Sequence, residues 1–193
     1  MAALFHLIFQ LVKISLLASL YALIAVGLIS IIPEAWKISF VTTVKSEKKK
    51  HWFLFGAIIS ILLFLFSFTY FGDHGLGDSA RIPIGNWETI ENINWTEYGT
   101  LKNRETGKGN QIITTKFKVS NNVLCGNLES HFYDYSNNYF CFNLKTKELK
   151  EYRTESEFNT YVRQNNLPST SELQSFRQNY SDYWHGIRFV FLP

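Results

Sequence analysis

The densest group of side chains able to carry out acid–base chemistry in this 193-residue chain is Glu129, His131 and Asp134. An imidazole beside a carboxylate can accept and donate a proton near neutral pH, as general acid–base catalysis requires. His131 and Asp134 are three residues apart, so on an extended chain they point to opposite faces and need a turn to meet. The spacing favours a surface hairpin, and a periplasmic enzyme that uses these three residues is the alternative.

Motifs for other types of reaction are absent from the sequence. It contains no G-x-S-x-G nucleophile elbow, no H-E-x-x-H zinc motif and no phosphate-binding glycine loop. We therefore expect no catalytic residues, no metal site and no cofactor.

Tyr133, Tyr135 and Tyr139 lie in or just after the same segment. Tyrosine gives a binding surface a large contact area at a small cost in side-chain entropy. We therefore predict that these three residues bind a partner protein. Packing in the core of the domain is the alternative, and it is the commoner use of such side chains.

The two cysteines, Cys125 and Cys141, are predicted to form a disulfide, because we place this part of the chain outside the cytoplasm. Counting in steps of two from Phe117 puts Cys125 on the core face of its strand, whereas Cys141 alternates with core phenylalanines. A bulge at Asn121-Asn122 would bring the two cysteines to one face. Two buried free thiols, or a catalytic or metal-binding pair, are the alternatives.

Three short sequences match acceptors of covalent glycans. The segment Asp78-Ser79-Ala80 resembles the Asp-Ser/Thr-apolar acceptor of bacterial O-linked glycans, so Ser79 is a candidate acceptor. Asn94 and Asn179 each begin an Asn-x-Ser/Thr sequence, which matters only in a host that makes N-linked glycans.

Two apolar runs, residues 14–33 and 52–71, precede all of these groups. Each has about the 20 residues that a helix needs to cross the hydrocarbon of a bilayer. Neither run contains Asp, Glu or Arg, and aromatic residues that favour the headgroup region stand at their ends. The sequence predicts a two-helix transmembrane hairpin, whose first helix either starts before residue 14 or follows a segment on the membrane surface. Since no Lys or Arg precedes Lys13, we expect a retained helix rather than a cleaved signal peptide.

The connector between the two runs, residues 34–51, sets the predicted orientation. Short loops rich in lysine stay in the cytoplasm, so the N-terminus and everything after the second run are expected to face outward. The topology-determining residues are Lys45, Lys48, Lys49 and Lys50. The sequence thus predicts an inner-membrane protein with two spans and a periplasmic C-terminal domain.

The net charge of +3 is unevenly distributed along the chain. Residues 1–72 hold six Lys and two Glu, a net charge of +4, whereas the later residues have a net charge of −1. A nucleic-acid-binding protein gathers positive charge on its folded domain. We therefore exclude nucleic acid and expect two kinds of partner, which are the lipid bilayer and other membrane or periplasmic proteins.

Residues 73–80 are predicted to be a flexible exit from the membrane, and residues 81–193 a compact α+β domain. Strands are predicted over 81–85, 87–101, 139–145 and 148–153, and from residue 111 to the break at Asn121-Asn122, with a polar loop over 101–110. Two helices follow, opened by capping boxes at Thr154/Glu157 and Ser169/Glu172. A last strand over 187–192 is expected to pair inside the antiparallel sheet.

These features favour a non-enzymatic, membrane-anchored accessory subunit or binding protein of a bacterial envelope complex. The anchor would confine the periplasmic domain to the membrane surface and raise its effective concentration for a protein partner there. A membrane-held immunity or inhibitor protein against a toxin is one alternative, and the periplasmic enzyme acting on an envelope substrate is the other.

Overall fold

The chain folds into two compact units, as a computed structural model describes for residues 2–33, 38–73, 79–107, 109–130, 133 and 135–193. The helical unit is Met1–Gly77 together with Ile187–Pro193, and the sheet unit is Asp78–Gly186. The sheet unit is therefore inserted between two parts of the helical unit.

The helical unit contains α1 (Ala2–Ile31), α2 (Ser39–Ser46), α3 (Lys48–Ser67) and α6 (Ile187–Phe191). Small residues let α1 and α3 pack side by side: Ala18 and Ala22 are buried, and a Cβ on Gly56 would stand 3.9 Å from the Cβ of Ala22. Trp52 joins the same contact by donating its indole N–H to the backbone oxygen of Ser19 at 3.1 Å.

The two long helices are long and apolar enough to cross a lipid bilayer, over Leu7–Ile31 and Lys48–Ser67. Many of their large apolar side chains are exposed, including Leu16, Leu23, Leu28, Phe53, Ile61 and Leu65. The first helix extends N-terminal to residue 14, which is one of the two arrangements expected from the sequence. The second begins and ends four residues before the predicted run 52–71, and the predicted connector contains α2.

The sheet unit has the predicted α+β class, but it contains two antiparallel sheets where the sequence predicted one. The first sheet has the order β1-β2-β3-β4 and the second the order β8-β7-β6-β5-β9. Two helices, α4 (Glu155–Gln164) and α5 (Phe176–Trp184), complete the unit. The strands are β1 (Ser79–Gly85), β2 (Glu88–Ile93), β3 (Gly99–Glu105), β4 (Gln111–Thr114), β5 (Lys116–Ser120), β6 (Val123–Asn127), β7 (Tyr139–Asn143), β8 (Leu149–Tyr152) and β9 (Gln174–Ser175).

Two hydrophobic cores lie on opposite faces of the second sheet. Successive side chains on the paired strands β6 and β7 point to opposite faces of the sheet. Leu124 and Phe142 therefore face the larger core, whereas Cys125 and Cys141 face α4. The smaller core packs Phe158 of α4 against the two cysteines. The larger core joins both sheets and α5, through Ile82, Ile90, Leu101, Ile112, Phe117, Leu124, Phe140, Phe142 and Phe176.

The segment predicted as one strand from residue 111 is two strands in different sheets. β4 ends the first sheet, and β5 begins two residues later in the second. The side chain of Asn127 stabilises this crossing: its Oδ1 accepts the N–H of Lys116, and its Nδ2 donates to the hydroxyl of Thr115, both at 2.7 Å. Alternating apolar residues do not reveal the change of sheet, because both strands have the same period.

Residues 87–101 were also predicted as one strand, and they form parts of β2 and β3 separated by a loop at Asn94 and Trp95. Both residues have positive φ, which a continuous strand does not allow. The predicted polar loop 101–110 is mostly strand, because β3 extends to Glu105.

The second predicted helix begins later than its capping box. Ser169 and Glu172 do form that box, but it opens only the 3₁₀ turn Thr170–Glu172. The helix α5 starts at Phe176, behind another capping box formed by Ser175 and Gln178. The box of Thr154 and Glu157 opens α4 as predicted.

The prediction of a last strand over 187–192 was wrong. Ile187–Phe191 is the helix α6, and it belongs to the helical unit rather than to the sheet. Gly186, with a φ of +66°, precedes it at the point where the chain leaves the sheet unit. The predicted flexible exit lies mostly outside the described residues, since residues 74–78 are not described, and Ser79 already belongs to β1.

Gly99 of β3 provides a test of the packing in the larger core. A Cβ at this position would stand 2.5 Å from Cγ2 of Ile90 and 2.9 Å from Cδ2 of Phe176, so Gly99→Ala should lower the free energy of unfolding by about 1–3 kcal/mol. Gly107→Ala is the matched control, because its Cβ would approach only Glu151 Oε1, at 3.8 Å. Thermal unfolding of the intact protein in detergent measures both, and equal stability of the two variants would contradict this packing.

Candidate interaction site

The predicted acid–base group is not assembled in the described part of the chain. His131 and Asp134 lie outside the described residues. Glu129 is described, and its backbone N–H donates to the backbone oxygen of Ile113 at 2.8 Å. Among the described residues, no three His, Cys, Asp or Glu side chains are placed to hold a metal ion.

The three tyrosines predicted to bind a partner are all in contact with a core. Tyr135 is 9% exposed, its hydroxyl donates to the backbone oxygen of Gln111, and burial raises its pKa to about 12. Tyr133 packs edge-on against it, with ring centroids 5.7 Å apart. Tyr139 is stacked on Phe158 at 5.2 Å. Partner binding by these residues stays a prediction, and their burial leaves them little free surface for it.

The predicted disulfide is not formed in the structure. Cys125 and Cys141 are directly opposite each other on β6 and β7, with their Sγ atoms 2.9 Å apart, and both are free, buried thiols. The hydrogen bond with Cys125, and then burial, raise the pKa of the Cys141 thiol. A protonated thiol that solvent does not reach is a poor nucleophile, which disfavours oxidation. The tight turn at Asn121-Asn122, and not a bulge, sets the face that each cysteine occupies.

Three tight turns from distant parts of the chain meet at one end of the sheet unit. They are residues 86–87 between β1 and β2, 121–122 between β5 and β6, and 144–148 between β7 and β8; we call them the turn cluster. The side chain of Asn86 donates to Asn122 Oδ1 at 3.4 Å, and Lys147 Nζ donates to the backbone oxygen of Asn86 at 3.1 Å. The Leu144 N–H donates to the backbone oxygen of Asn122 at 2.8 Å.

Both points at which the chain enters and leaves the sheet unit lie at the other end of β1. The strand starts at Ser79, and the indole N–H of Trp184, at the end of α5, donates to the backbone oxygen of Arg81 at 2.9 Å. The turn at Asn86 is about 20 Å further along the hairpin, at ~3.3 Å per strand residue. The turn cluster is thus far from both chain connections.

Trp87 occupies an unusual position in this cluster. It follows Asn86 in the two-residue turn that closes the pair Gly85 and Glu88, and both turn residues have positive φ, 49° and 63°. Such turns favour Asn-Gly, because a side chain in the left-handed region costs about 1–2 kcal/mol. The side chain of Trp87 is 76% exposed, the highest exposure among the large apolar side chains described in the sheet unit. Burial of the Trp87 side chain therefore offsets little of the free-energy cost of its left-handed backbone conformation.

Beside Trp87, the carboxylate of Glu88 is buried and paired with two cations. Its Oε1 accepts hydrogen bonds from Nη2 of Arg104 at 2.5 Å and from Nζ of Lys147 at 2.7 Å. Burial raises the pKa of Glu88, but the hydrogen bonds from Arg104 and Lys147 outweigh it, so the net pKa is below the ordinary value of 4.5. The guanidinium of Arg104 also lies 5.5 Å from the ring centre of Phe142.

A second ion-pair group follows on the same strand. Oε1 of Glu91 accepts from Nη2 of Arg81 at 2.7 Å and from Nζ of Lys102 at 3.1 Å. Burial raises the pKa of Glu91, and the hydrogen bonds from Lys102 and Arg81 bring it below the ordinary value. In these two groups four cationic side chains pair with two carboxylates. Of these residues, Glu88, Lys102, Arg104 and Lys147 line one cleft, where their net charge is +2.

A shallow cleft of about 330 Å³ connects these features. Its lining residues are Asn86, Trp87, Glu88, Thr89, Lys102, Arg104 and Lys147. The arrangement suits a protein segment that offers an apolar group to the indole and a carboxylate to the cations.

The remaining sequence-predicted residues lie elsewhere. Ser79 is the first residue of β1 and pairs with Ile93. Asn94 is exposed, whereas the side-chain N–H groups of Asn179 donate to three backbone oxygens that join α5 to β5 and β9. Glycosylation of Ser79 stays a prediction.

The four lysines that were predicted to determine the topology lie on both sides of the start of α3. Lys45 donates to the backbone oxygen of Ile32 at 2.7 Å, and Lys50 pairs with Glu47 at 2.8 Å. Lys48, Lys49 and Lys50 occupy the first turn of α3, where the helix dipole disfavours positive charge. Stabilisation of the helix α3 therefore does not explain why lysine occupies these three positions.

Sequence reasoning missed the site at Trp87, although a signal was present. Asn-Trp occurs twice, at residues 86–87 and 94–95, where a turn would favour Asn-Gly. The second tryptophan, Trp95, is 38% exposed and packs edge-on against Tyr180, with ring centroids 5.1 Å apart. The contact with Tyr180 accounts for the position of Trp95, whereas the side chain of Trp87 is about twice as exposed.

Comparison with known proteins gives no family to which the site can be referred. No protein-family model, no curated protein and no solved structure matches this chain.

The buried carboxylate of Glu88 leads to a prediction about pH. Its folded-state pKa is below the unfolded value, so its stabilisation is fully present above about pH 4.5 and is lost as the pH falls through the folded pKa. Glu88→Gln should lower the free energy of unfolding by about 1–3 kcal/mol at pH 7. The difference from the wild type should shrink as the pH falls below 4.5, as thermal unfolding in detergent at several pH values would show.

The exposed Glu148 supplies the control, because it pairs only loosely with Lys150, at 3.6 Å. Glu148→Gln should change the free energy of unfolding by no more than about 0.5 kcal/mol. A Glu88→Gln variant whose deficit stayed constant from pH 7 to pH 3 would contradict the ion-pair account.

Proposed function

We propose that this protein is a non-enzymatic, membrane-anchored accessory subunit or binding protein of a bacterial envelope complex. In this proposal α1 and α3 form a transmembrane hairpin, and the sheet unit is presented outside the inner membrane to a protein partner. The partner docks on the turn cluster, around Trp87. The exposed Trp87 in a strained turn, beside a surplus of positive charge, is the observation on which the docking site rests.

The exposed apolar side chains of α1 and α3 support the anchor. Leu16, Leu23 and Ile61 lie on surfaces that water would solvate poorly and acyl chains would solvate well. The lysines at the start of α3 support the orientation, since positively charged residues next to a span favour the cytoplasmic side. The sheet unit, which follows α3, is then periplasmic.

The backbone strain at Trp87 supports docking. Strained backbone positions cluster at functional sites, and the side chain at this one is 76% exposed. Tryptophan and arginine are the residue types most enriched among those that dominate binding energy at interfaces. The net charge of +2 around the cleft favours an acidic segment of the partner.

Accessibility of introduced cysteines tests the orientation. A membrane-impermeant thiol reagent should label Gly107→Cys in intact cells with a permeabilised outer membrane, and should label Lys49→Cys only after lysis. The native Cys125 and Cys141 are buried, so they contribute little background in the folded protein. The reverse pattern would exclude a periplasmic sheet unit and the proposed function with it.

Trp87→Gly tests the docking site without damaging the turn. Glycine suits the positive φ of this position, so the free energy of unfolding should change by less than about 1 kcal/mol. Binding of the partner should weaken by about 2 kcal/mol or more, which is over tenfold in dissociation constant. The measurement is recovery of proteins that copurify with the intact protein in mild detergent, followed by titration of the recovered partner.

Trp95→Gly is the matched control, since it removes a tryptophan from the other Asn-Trp turn. It should lower stability, because the edge-on contact with Tyr180 is lost, and should leave partner binding unchanged. Equal partner recovery with wild-type protein and with Trp87→Gly would refute docking at the turn cluster.

A further inference from the structure

The C-terminal residues 187–193 form an exposed apolar surface within the helical unit. Four large side chains of α6 are exposed, namely Ile187, Phe189, Val190 and Phe191. Arg188 is the only charged side chain in the segment. An exposed cluster of this kind needs an apolar medium or a partner to cover it.

Two contacts place this segment beside α1. The hydroxyl of Tyr21 donates to the backbone oxygen of Phe191 at 2.6 Å, and Nζ of Lys13 lies 4.5 Å from the ring centre of Phe189. Lys13 and Tyr21 are eight residues apart, which is about 12 Å along a helix. The segment therefore runs alongside residues 13–21 of the apolar stretch Leu7–Ile31.

We propose that residues 187–193 are inserted among the acyl chains of the outer leaflet and form a second membrane anchor for the sheet unit. This inference rests on the proposed function, in which α1 crosses the bilayer with its N-terminus outside. A segment that contacts a spanning helix at Lys13 and Tyr21 lies at the depth of those residues. The medium at that depth is hydrocarbon, so acyl chains cover the exposed side chains of α6.

The polar groups of the segment fit this environment. Backbone groups in hydrocarbon need partners, and the oxygen of Phe191 has one in Tyr21, while the Leu192 N–H donates to the backbone oxygen of Arg188 at 2.9 Å. The long side chains of Lys13 and Arg188 can carry their charges toward the headgroups while their aliphatic parts stay in the apolar layer. Lys13 also interacts with the face of the Phe189 ring.

Insertion at this position has a mechanical consequence. The sheet unit is connected to the membrane through α3 before β1 and through α6 after α5. Two attachment points restrict its rotation and its distance from the bilayer more than one does. The conformational freedom that a partner must remove on binding is reduced accordingly.

Fluorescence quenching in vesicles tests the insertion. The intact protein is reconstituted in phosphatidylcholine and phosphatidylglycerol vesicles, with or without nitroxide-labelled acyl chains, and carries the dye NBD on one introduced cysteine. Phe189→Cys and Val190→Cys report on the segment. Two positions are used so that the result does not depend on one substitution that locally disrupts α6. Leu16→Cys is the matched depth control, since Leu16 is 68% exposed and lies between Lys13 and Tyr21. Glu148→Cys reports on an exposed site of the sheet unit.

We expect nitroxide lipids to quench the dye at positions 189 and 190 as strongly as at position 16, and aqueous iodide to quench it strongly only at position 148. If position 16 is quenched by lipid while 189 and 190 behave like 148, the segment is in water and the second anchor is refuted, although the spanning helix stands. If position 16 also escapes lipid quenching, the membrane anchor of the proposed function fails and the second anchor fails with it.

Discussion

The register fixed by the turn at Asn121-Asn122 is the constraint on which most of the sheet unit depends. Because the turn has two residues, Ser120 pairs with Val123 and Phe117 pairs with Gly126. A slip of one residue would send Leu124 toward α4 and Cys125 into the larger core. Gly126 reinforces the register, since a Cβ there would stand 2.9 Å from Cε1 of Phe140. The assignment of Leu124 and Cys125 to different cores follows from this local geometry.

Local signals in the sequence predicted the features that local physics determines. The capping box at Thr154, the two long apolar helices and the alternation along β7 were readable in this way. The change of sheet after Thr114 was not, since it depends on a side chain 13 residues away in sequence, Asn127. The short apolar run after Gly186 fits a strand or a helix equally well, and its contacts with Lys13 and Tyr21, about 170 residues earlier, are not visible in the sequence.

The candidate site was predictable only in part, for a related reason. The Asn-Trp turn is visible in the sequence, but the charges that surround it come from β2, β3 and the turn after β7. The sequence spacing of Arg104 and Lys147 from Glu88 does not predict that the three side chains meet, because only tertiary packing brings them together. The two units also expose different surfaces: an exposed indole beside cations at the turn cluster, and large exposed aliphatic side chains on the long helices. A protein partner suits the first surface, and lipid suits the second.

The hydrogen bond between Trp184 and the backbone of Arg81 has a consequence for how such a chain could be rebuilt. It holds the points at which the chain enters and leaves the sheet unit next to each other. The inserted unit therefore begins and ends at neighbouring points, as a short loop does. Adjacent ends are the condition under which one folded domain can be grafted into another without disturbing the host. The sheet unit meets this condition, and the helical unit is its host. Another domain with neighbouring termini could therefore be inserted at the same point of the chain.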